Sequence, residues 1–262
     1  MLVVVAVRQA CEEGAERALA ALGAPITGRR QVGPDRALLF ATPPLADPVV
    51  ADLRAHGWRA AARPEGGGHL SAWQRHTAPV DIDGLFRVCF PWSEFDRGDG
   101  PPAIEVDPGR SFGTGAHPST RLLLVELARR ARAGDRVLDV GCGSGVLALA
   151  AAHLGANVVA TDIDGAALAA TGANAAWNEL SVRVSEGLPG GQFDVIVANI
   201  GAEELIALAP ALVPRLASGG WAGLSGVSAG QVSRVAAAYG GGGEQRSDGE
   251  WAALVMTPAP HA

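Results

Sequence analysis

The stretch "VLDVGCGSGVLALAA" (137–151) constrains this chain more than any other. Four mostly apolar residues run into glycines at alternate positions, and a wholly apolar run follows. Glycines so spaced specify a tight turn that a backbone or ligand approaches closely. Strand, glycine turn and helix together open an α/β unit with a parallel sheet. From about residue 103 the pattern alternates in that sense, with strands predicted at 136–140, 157–162, 193–199, 220–226 and 251–257 and helices between them. "HPSTRLLLVELARRARAG" reads as one of these helices, with Pro118 near its start, leucines on one face and arginines at its end. "GEWAALVMTP" suits an added antiparallel edge strand, and "GGGG" (240–243) a loop.

The first sixty or so residues read differently. "LVVVAV" is a buried strand, 11–22 a helix, 25–33 and 36–42 a hairpin, "DPVVADLRAHG" a second helix and "WRAAARP" a last strand. In the second helix Asp47 is expected to cap, Pro48 to take the first helical position and Gly57 to end it. The order is βαββαβ, a ferredoxin-like α+β unit. "PEGGGH" (64–69) marks a boundary, and an irregular aromatic segment with Trp73, Phe86, Phe90, Trp92 and Phe95 follows, holding one strand in "LFRVCF". Three regions are therefore expected: 1–63, a linker over 64–102, and 103–262.

Composition excludes several classes. The chain has 262 residues, a net charge of −6 and an isoelectric point near 5.5, which disfavours direct nucleic-acid binding. All its basic side chains other than histidine are arginine, so a Walker A lysine and a lysine Schiff base are ruled out. Cys11, Cys89 and Cys142 lack metal-ligand spacing, the histidines are scattered, and no metal site is expected. No apolar run approaches a membrane span and "MLVVVAV" is too short for a secretory core, so a cytoplasmic, monomeric protein is expected.

A dinucleotide fingerprint needs G-x-G-x-x-G. Here Gly141, Gly143 and Gly145 spell G-x-G-x-G, Val146 stands where the last glycine would be, and Asp139 lies just before the turn. This D-x-G-x-G-x-G pattern resembles that of class I S-adenosylmethionine-dependent methyltransferases. That cofactor has no pyrophosphate to set on a helix N-terminus; its methionine part needs close backbone, and its ammonium an anion or carbonyls. Asp162 ends the next predicted strand about 20 residues on, where an acid can accept from both ribose hydroxyls. Asp164 is expected to cap the following helix. Asn199 ends the fourth strand at the carboxyl edge of the sheet, where its side-chain oxygen can accept from a target N–H.

"DPGRSFGTGAHPSTRLLL", "DVGCGSGVLALAA", "TDID", "VANI" and "LSGV" occur in the order and spacing of ribosomal protein L11 methyltransferases, which the chain resembles over roughly residues 70–257. The resemblance implies a Rossmann-like, mostly parallel sheet behind a small N-terminal recognition domain. It implies S-adenosylmethionine as cofactor and methylation of protein amino groups, with L11 the leading substrate. The family's cofactor contacts would fall on Thr120, Gly141, Asp162 and Asn199, and Asn199 is the catalytic candidate. The loop "SFGTGAH", with Gly113, Thr114 and Gly115, would fold over the sulfonium and exclude water. For His117 a hydrogen bond at the helix start is expected ahead of a role as base. Arg110, Ser111 and Gly201 depart from the family pattern; at 201 a leucine would be usual. A small-molecule methyltransferase and a catalytically silent cofactor-binding protein are the competing readings.

Overall fold

A computed structural model describes residues 2–8, 11–31, 36–56, 58–63, 78–90, 101–107 and 115–257. The expectations for "PEGGGH", for Gly57, for Trp73, Trp92 and Phe95, and for Gly113 and Thr114 lie outside the described residues. The chain divides into two compact units, residues 1–79 with 89–105 and residues 80–88 with 106–262.

The first unit contains β1 (Leu2–Arg8), α1 (Glu12–Ala21), β2 (Ile26–Gln31), β3 (Arg36–Ala41), α2 (Ala46–Ala55) and β4 (Arg59–Arg63). The strands form a sheet in the order β2-β3-β1-β4, antiparallel throughout. Val3, Val5 and Val7 alternate along β1 and bury against Leu19 of α1 and Val49, Val50 and Leu53 of α2. Alternation on the strand and helical spacing on the helices thus meet in one small core. One expectation is corrected here. α2 starts at Ala46 behind an extended Leu45, so Asp47 is not its cap and Pro48 not its first residue. Both still fit the first turn, where backbone N–H groups lack helical partners and an acid faces the positive end of the helix dipole.

In the second unit β5 (Val80–Ile82) and β6 (Phe86–Cys89) begin as a hairpin, closed by Asp81 Oδ1 accepting from the Gly84 N–H at 2.7 Å. A short β7 (Ala103–Glu105) follows in the chain, within the first unit. The second unit then continues with α3 (Pro118–Arg130), β8 (Arg136–Val140), α4 (Val146–His153), β9 (Asn157–Asp162), α5 (Gly165–Trp177), β10 (Val182–Glu186) and β11 (Phe193–Asn199). After these come α6 (Ala202–Leu212), β12 (Leu216–Ser228), α7 (Val232–Ala238), β13 (Glu244–Asp248) and β14 (Trp251–Met256).

These strands build a seven-stranded sheet in the order β10-β9-β8-β11-β12-β14-β13. From β10 to β12 all neighbours are parallel, and β14 pairs antiparallel with both β12 and β13. The chain moves outward from β8 to β10, then returns to β11 on the other side of β8. The carboxyl ends of β8 and β11 therefore flank the point where the order reverses, the crevice in which open α/β sheets bind ligands.

Three details differ from the sequence reading. β12 runs from 216, with a register shift between Phe193 and Val195 of β11 absorbing its extra residues. Strands β10 and β13 have no counterpart in that reading. β14 is consequently not the edge: β13 covers it, and five buried apolar positions in "WAALVM" suit an interior strand. Charge adds to the backbone ladder that pairs β13 with β14. Buried Glu126 of α3 accepts from Arg130 at 2.6 Å and Arg246 at 3.0 Å, and Glu244 accepts from the same two arginines.

Candidate active site

The turn after β8 is shaped by three glycines at positive φ, +71° at Gly141, +55° at Gly143 and +82° at Gly145. Any other L-residue would be strained there. A Cβ at Gly141 would collide with Ile200 Cγ2, and one at Gly145 would approach Thr171 to 2.8 Å. The glycines thus let the turn lie against the segments after β11 and along α5. Asn174, fully buried on α5, pins the same region: its Nδ2 donates to Ser144 O at 2.8 Å and Asp107 O at 2.9 Å, while its Oδ1 accepts from the Asp107 N–H at 3.0 Å. Thr171 donates to Gly143 O at 3.1 Å or Cys142 Sγ at 3.2 Å. Neither residue was singled out from the sequence; buried polar residues on an otherwise apolar helix are the one signal that could have found them.

Above this turn a cavity of about 710 Å³ opens at the carboxyl edge, within the range of small-molecule sites. Its walls include Val146, Leu147, Leu188, Ile200 and Leu208, and its polar groups include Thr120, Asp162, Asp164, Asn199 and Glu204. Asp162 closes the β9 end. Its Oδ2 accepts from the Gly143 N–H and its Oδ1 from the Asp164 N–H, each at 3.0 Å. Asp164 in turn caps α5 through the Ala166 N–H at 2.8 Å, as its position implied. At the β11 end, Asn199 Nδ2 donates to buried Thr120 Oγ1 at 2.9 Å. That bond leaves Asn199 Oδ1 a buried acceptor with no hydrogen-bond partner among the described residues.

Of the residues expected to bind cofactor, Thr120, Gly141, Gly143, Asp162 and Asn199 come together around one cavity. Gly145 sits behind it as the left-handed residue preceding α4. Asp139 also lies behind the wall, fully buried, with Oδ2 accepting from the Ala148 N–H at 3.0 Å. It satisfies a free donor in the first turn of α4 from the neighbouring strand. Burial raises its carboxyl to about 7, and the charge of Asp162 adds to the rise. Burial likewise lifts the Cys142 thiol to about 12, so this pocket cysteine is no nucleophile. His117 is the N-cap of α3, accepting from the Ser119 N–H at 3.4 Å, with its ring edge-on to Trp251 at 4.6 Å between centroids. Among the described residues no group of acids, cysteines and histidines is placed to hold a metal.

These residues fit S-adenosylmethionine. Each Asp162 oxygen keeps a lone pair for a ribose hydroxyl. Ile163, fully exposed between two acids at the cavity, offers an apolar face to a purine. The turn at Gly141, where a Cβ has no room, presents bare backbone to the amino-acid part. The missing last glycine of the dinucleotide fingerprint is Val146, whose side chain is part of the cavity wall.

Comparison with known proteins agrees. Residues 68–258 match the family model for Ribosomal protein L11 methyltransferase (PrmA). The chain is 38% identical over 229 residues to the ribosomal protein L11 methyltransferase of Geobacter sulfurreducens, covering 84% of this chain and 73% of that one. It is 43% identical over 194 residues to that of Thermus thermophilus, covering 71% and 75%. The crystal structure of ribosomal protein L11 methylase from Lactobacillus delbrueckii subsp. bulgaricus superposes with a TM-score of 0.65 at 30% identity, over 70% of this chain and all of that one. With its sequence and fold so matched, the chain belongs to the ribosomal protein L11 methyltransferase family, S-adenosylmethionine-dependent enzymes of the class I fold.

Proposed function

We propose that this chain methylates amino groups of ribosomal protein L11, with Asn199 as the residue that receives the amine. The observation that carries the reading is the buried, unpartnered Oδ1 of Asn199 at the carboxyl end of β11. Leaving such an acceptor unsatisfied costs about 1–3 kcal/mol, and an incoming N–H removes that cost.

S-adenosylmethionine, when bound, would supply a methyl group on a sulfonium, whose carbon a neutral amine attacks in line while the thioether sulfur leaves. The chain's own part is positioning and exclusion of water. Asp162 would take the ribose hydroxyls and the Gly141 turn would hold the amino-acid end. Thr120 fixes the amide of Asn199, so that Oδ1 accepts one amine N–H and aims the nitrogen lone pair. The ammonium gives its proton to solvent before attack, and no dedicated base is needed.

We assign substrate recognition to the N-terminal βαββαβ unit, since among the described residues every group lining the cavity lies after residue 115. Among the described residues no helix is long and apolar enough to cross a membrane. A cytoplasmic monomer that makes no direct nucleic-acid contact completes the proposal.

The test is to incubate purified enzyme with S-adenosylmethionine and recombinant L11 and to map added methyl groups by peptide mass spectrometry. Methylation of the N-terminal amine or lysine ε-amines is expected. An unmodified L11 with methylation of small amines instead would replace this reading by the small-molecule one.

A further inference from the structure

Two glutamates stand side by side in the first turn of α6, and their side chains have different fates. Glu203 is tied outward to Arg234 at 3.0 Å. Glu204 lines the cofactor cavity, its carboxylate lying against Gly201, two residues past Asn199. The other two carboxylates of that cavity, Asp162 and Asp164, are engaged by backbone N–H groups, whereas Glu204 has no hydrogen bond or ion pair among the described residues.

The space for this arrangement comes from Gly201. Its backbone, φ −63° and ψ 158°, is ordinary for any residue, so conformation does not demand glycine there. A Cβ at 201 would run into Glu204 Oε2 and lie 3.3 Å from its Cδ, so a side chain there would turn this flexible carboxylate aside. The glycine that departs from the family pattern is the residue that lets the carboxylate fold back over the pocket. An acid in the first turn of a helix is favoured by the helix dipole.

We propose that Glu204 is a specificity residue that binds the cationic amine of the protein substrate at the β11 end of the pocket, and that Gly201 exists to admit it. This rests on the amine-methyltransferase reading and deepens it. The substrate amine arrives as ammonium, and the carboxylate captures that form next to Asn199. The proton then passes to solvent, the N–C bond forms as the C–S bond breaks, and the electron pair stays on sulfur. Positive charge thereby moves onto nitrogen, where Glu204 favours it again.

The test is steady-state kinetics of the full chain with recombinant L11, comparing wild type, Glu204→Gln and Gly201→Ala. Both variants are expected to raise KM for L11 about fivefold at low salt with kcat changed less, as for an exposed ion pair, and the difference should shrink as salt rises. S-adenosylmethionine affinity by calorimetry and Tm should stay at wild-type values. Unchanged KM in Glu204→Gln, beside an active wild type, overturns the assignment and leaves the enzyme reading intact. A loss of S-adenosylmethionine affinity in step with KM also overturns it, giving the carboxylate to the cofactor ammonium. If the wild type itself leaves L11 unmethylated, the enzyme reading fails and takes this assignment with it.

Discussion

At the β9 end of the pocket, Asp162 accepts a backbone N–H on each carboxylate oxygen; at the β11 end, the amide oxygen of Asn199 is buried with no partner among the described residues. The first arrangement is a finished acceptor, fixed before any ligand arrives and retaining lone pairs for it. The second is incomplete and destabilising until something donates to it. On the proposed reading, the satisfied Asp162 serves cofactor binding, and the unsatisfied Asn199 oxygen awaits a contact that arrives only with substrate.

The largest break in this contrast should come from Asp162→Ala. It removes the acceptor for two charge-assisted hydrogen bonds, each worth about 1.5–3 kcal/mol, and also frees the Gly143 N–H. Calorimetry should show S-adenosylmethionine affinity lower by at least about a hundredfold. Affinity within twofold of wild type would make Asp162 a support for the turn and nothing more.

Next in size is Gly145→Ala, with φ +82° and Thr171 at 2.8 Å from the added Cβ. Urea denaturation should report a loss of about 1–3 kcal/mol. An unchanged midpoint would mean that the turn relaxes freely and does not preorganise the site.

Asp139 sharpens the comparison through pH. Its folded carboxyl is raised from 3.8 to about 7, chiefly by burial, so the native state holds a proton that the unfolded chain has lost. The associated stability is fully present below about pH 4 and disappears as pH rises through about 7. Asp139→Asn keeps an acceptor for the Ala148 N–H and lacks this titration. Its stability relative to wild type should therefore be higher at pH 8 than at pH 5, and an equal difference at both would contradict the assignment. The smallest effect is expected for Gly172→Ala, inside α5 with nothing within 4 Å of the added Cβ. It should stabilise by up to about 1 kcal/mol and leave turnover unchanged, and any loss of turnover would show that α5 has to flex.

The parallel core was legible in the sequence because buried strands such as β8, β9 and β11 write their position as apolar runs, and positive-φ turns write theirs as glycine. The edge strands were not. β10 reads "VRVSE" and β13 "EQRSD", with mostly exposed side chains, and the ladder that holds them is made by backbone groups carrying no sequence signature. The site divides in the same way. Gly141, Asp162 and Asn199 sit at motif positions, so spacing found them. Asn174 and Glu204 act across helix faces, where the partners are set by packing of α5 and α6 and not by any short pattern. Asp139 sits at a motif position too, yet its observed partner is Ala148 in the turn-following helix.

The most direct test of the contrast between the two ends is Asn199→Ala, with S-adenosylmethionine affinity measured by calorimetry and turnover measured on L11. Losing a group that acts in the transition state costs about 10²–10³ in kcat, whereas the proposed cofactor contacts lie mainly at the β9 end. Turnover should fall at least about a hundredfold with cofactor affinity changed less than about fivefold, and Tm should hold because the variant also deletes an unsatisfied acceptor. Affinity and turnover falling by the same factor, or normal turnover with a much lower Tm, would contradict the account.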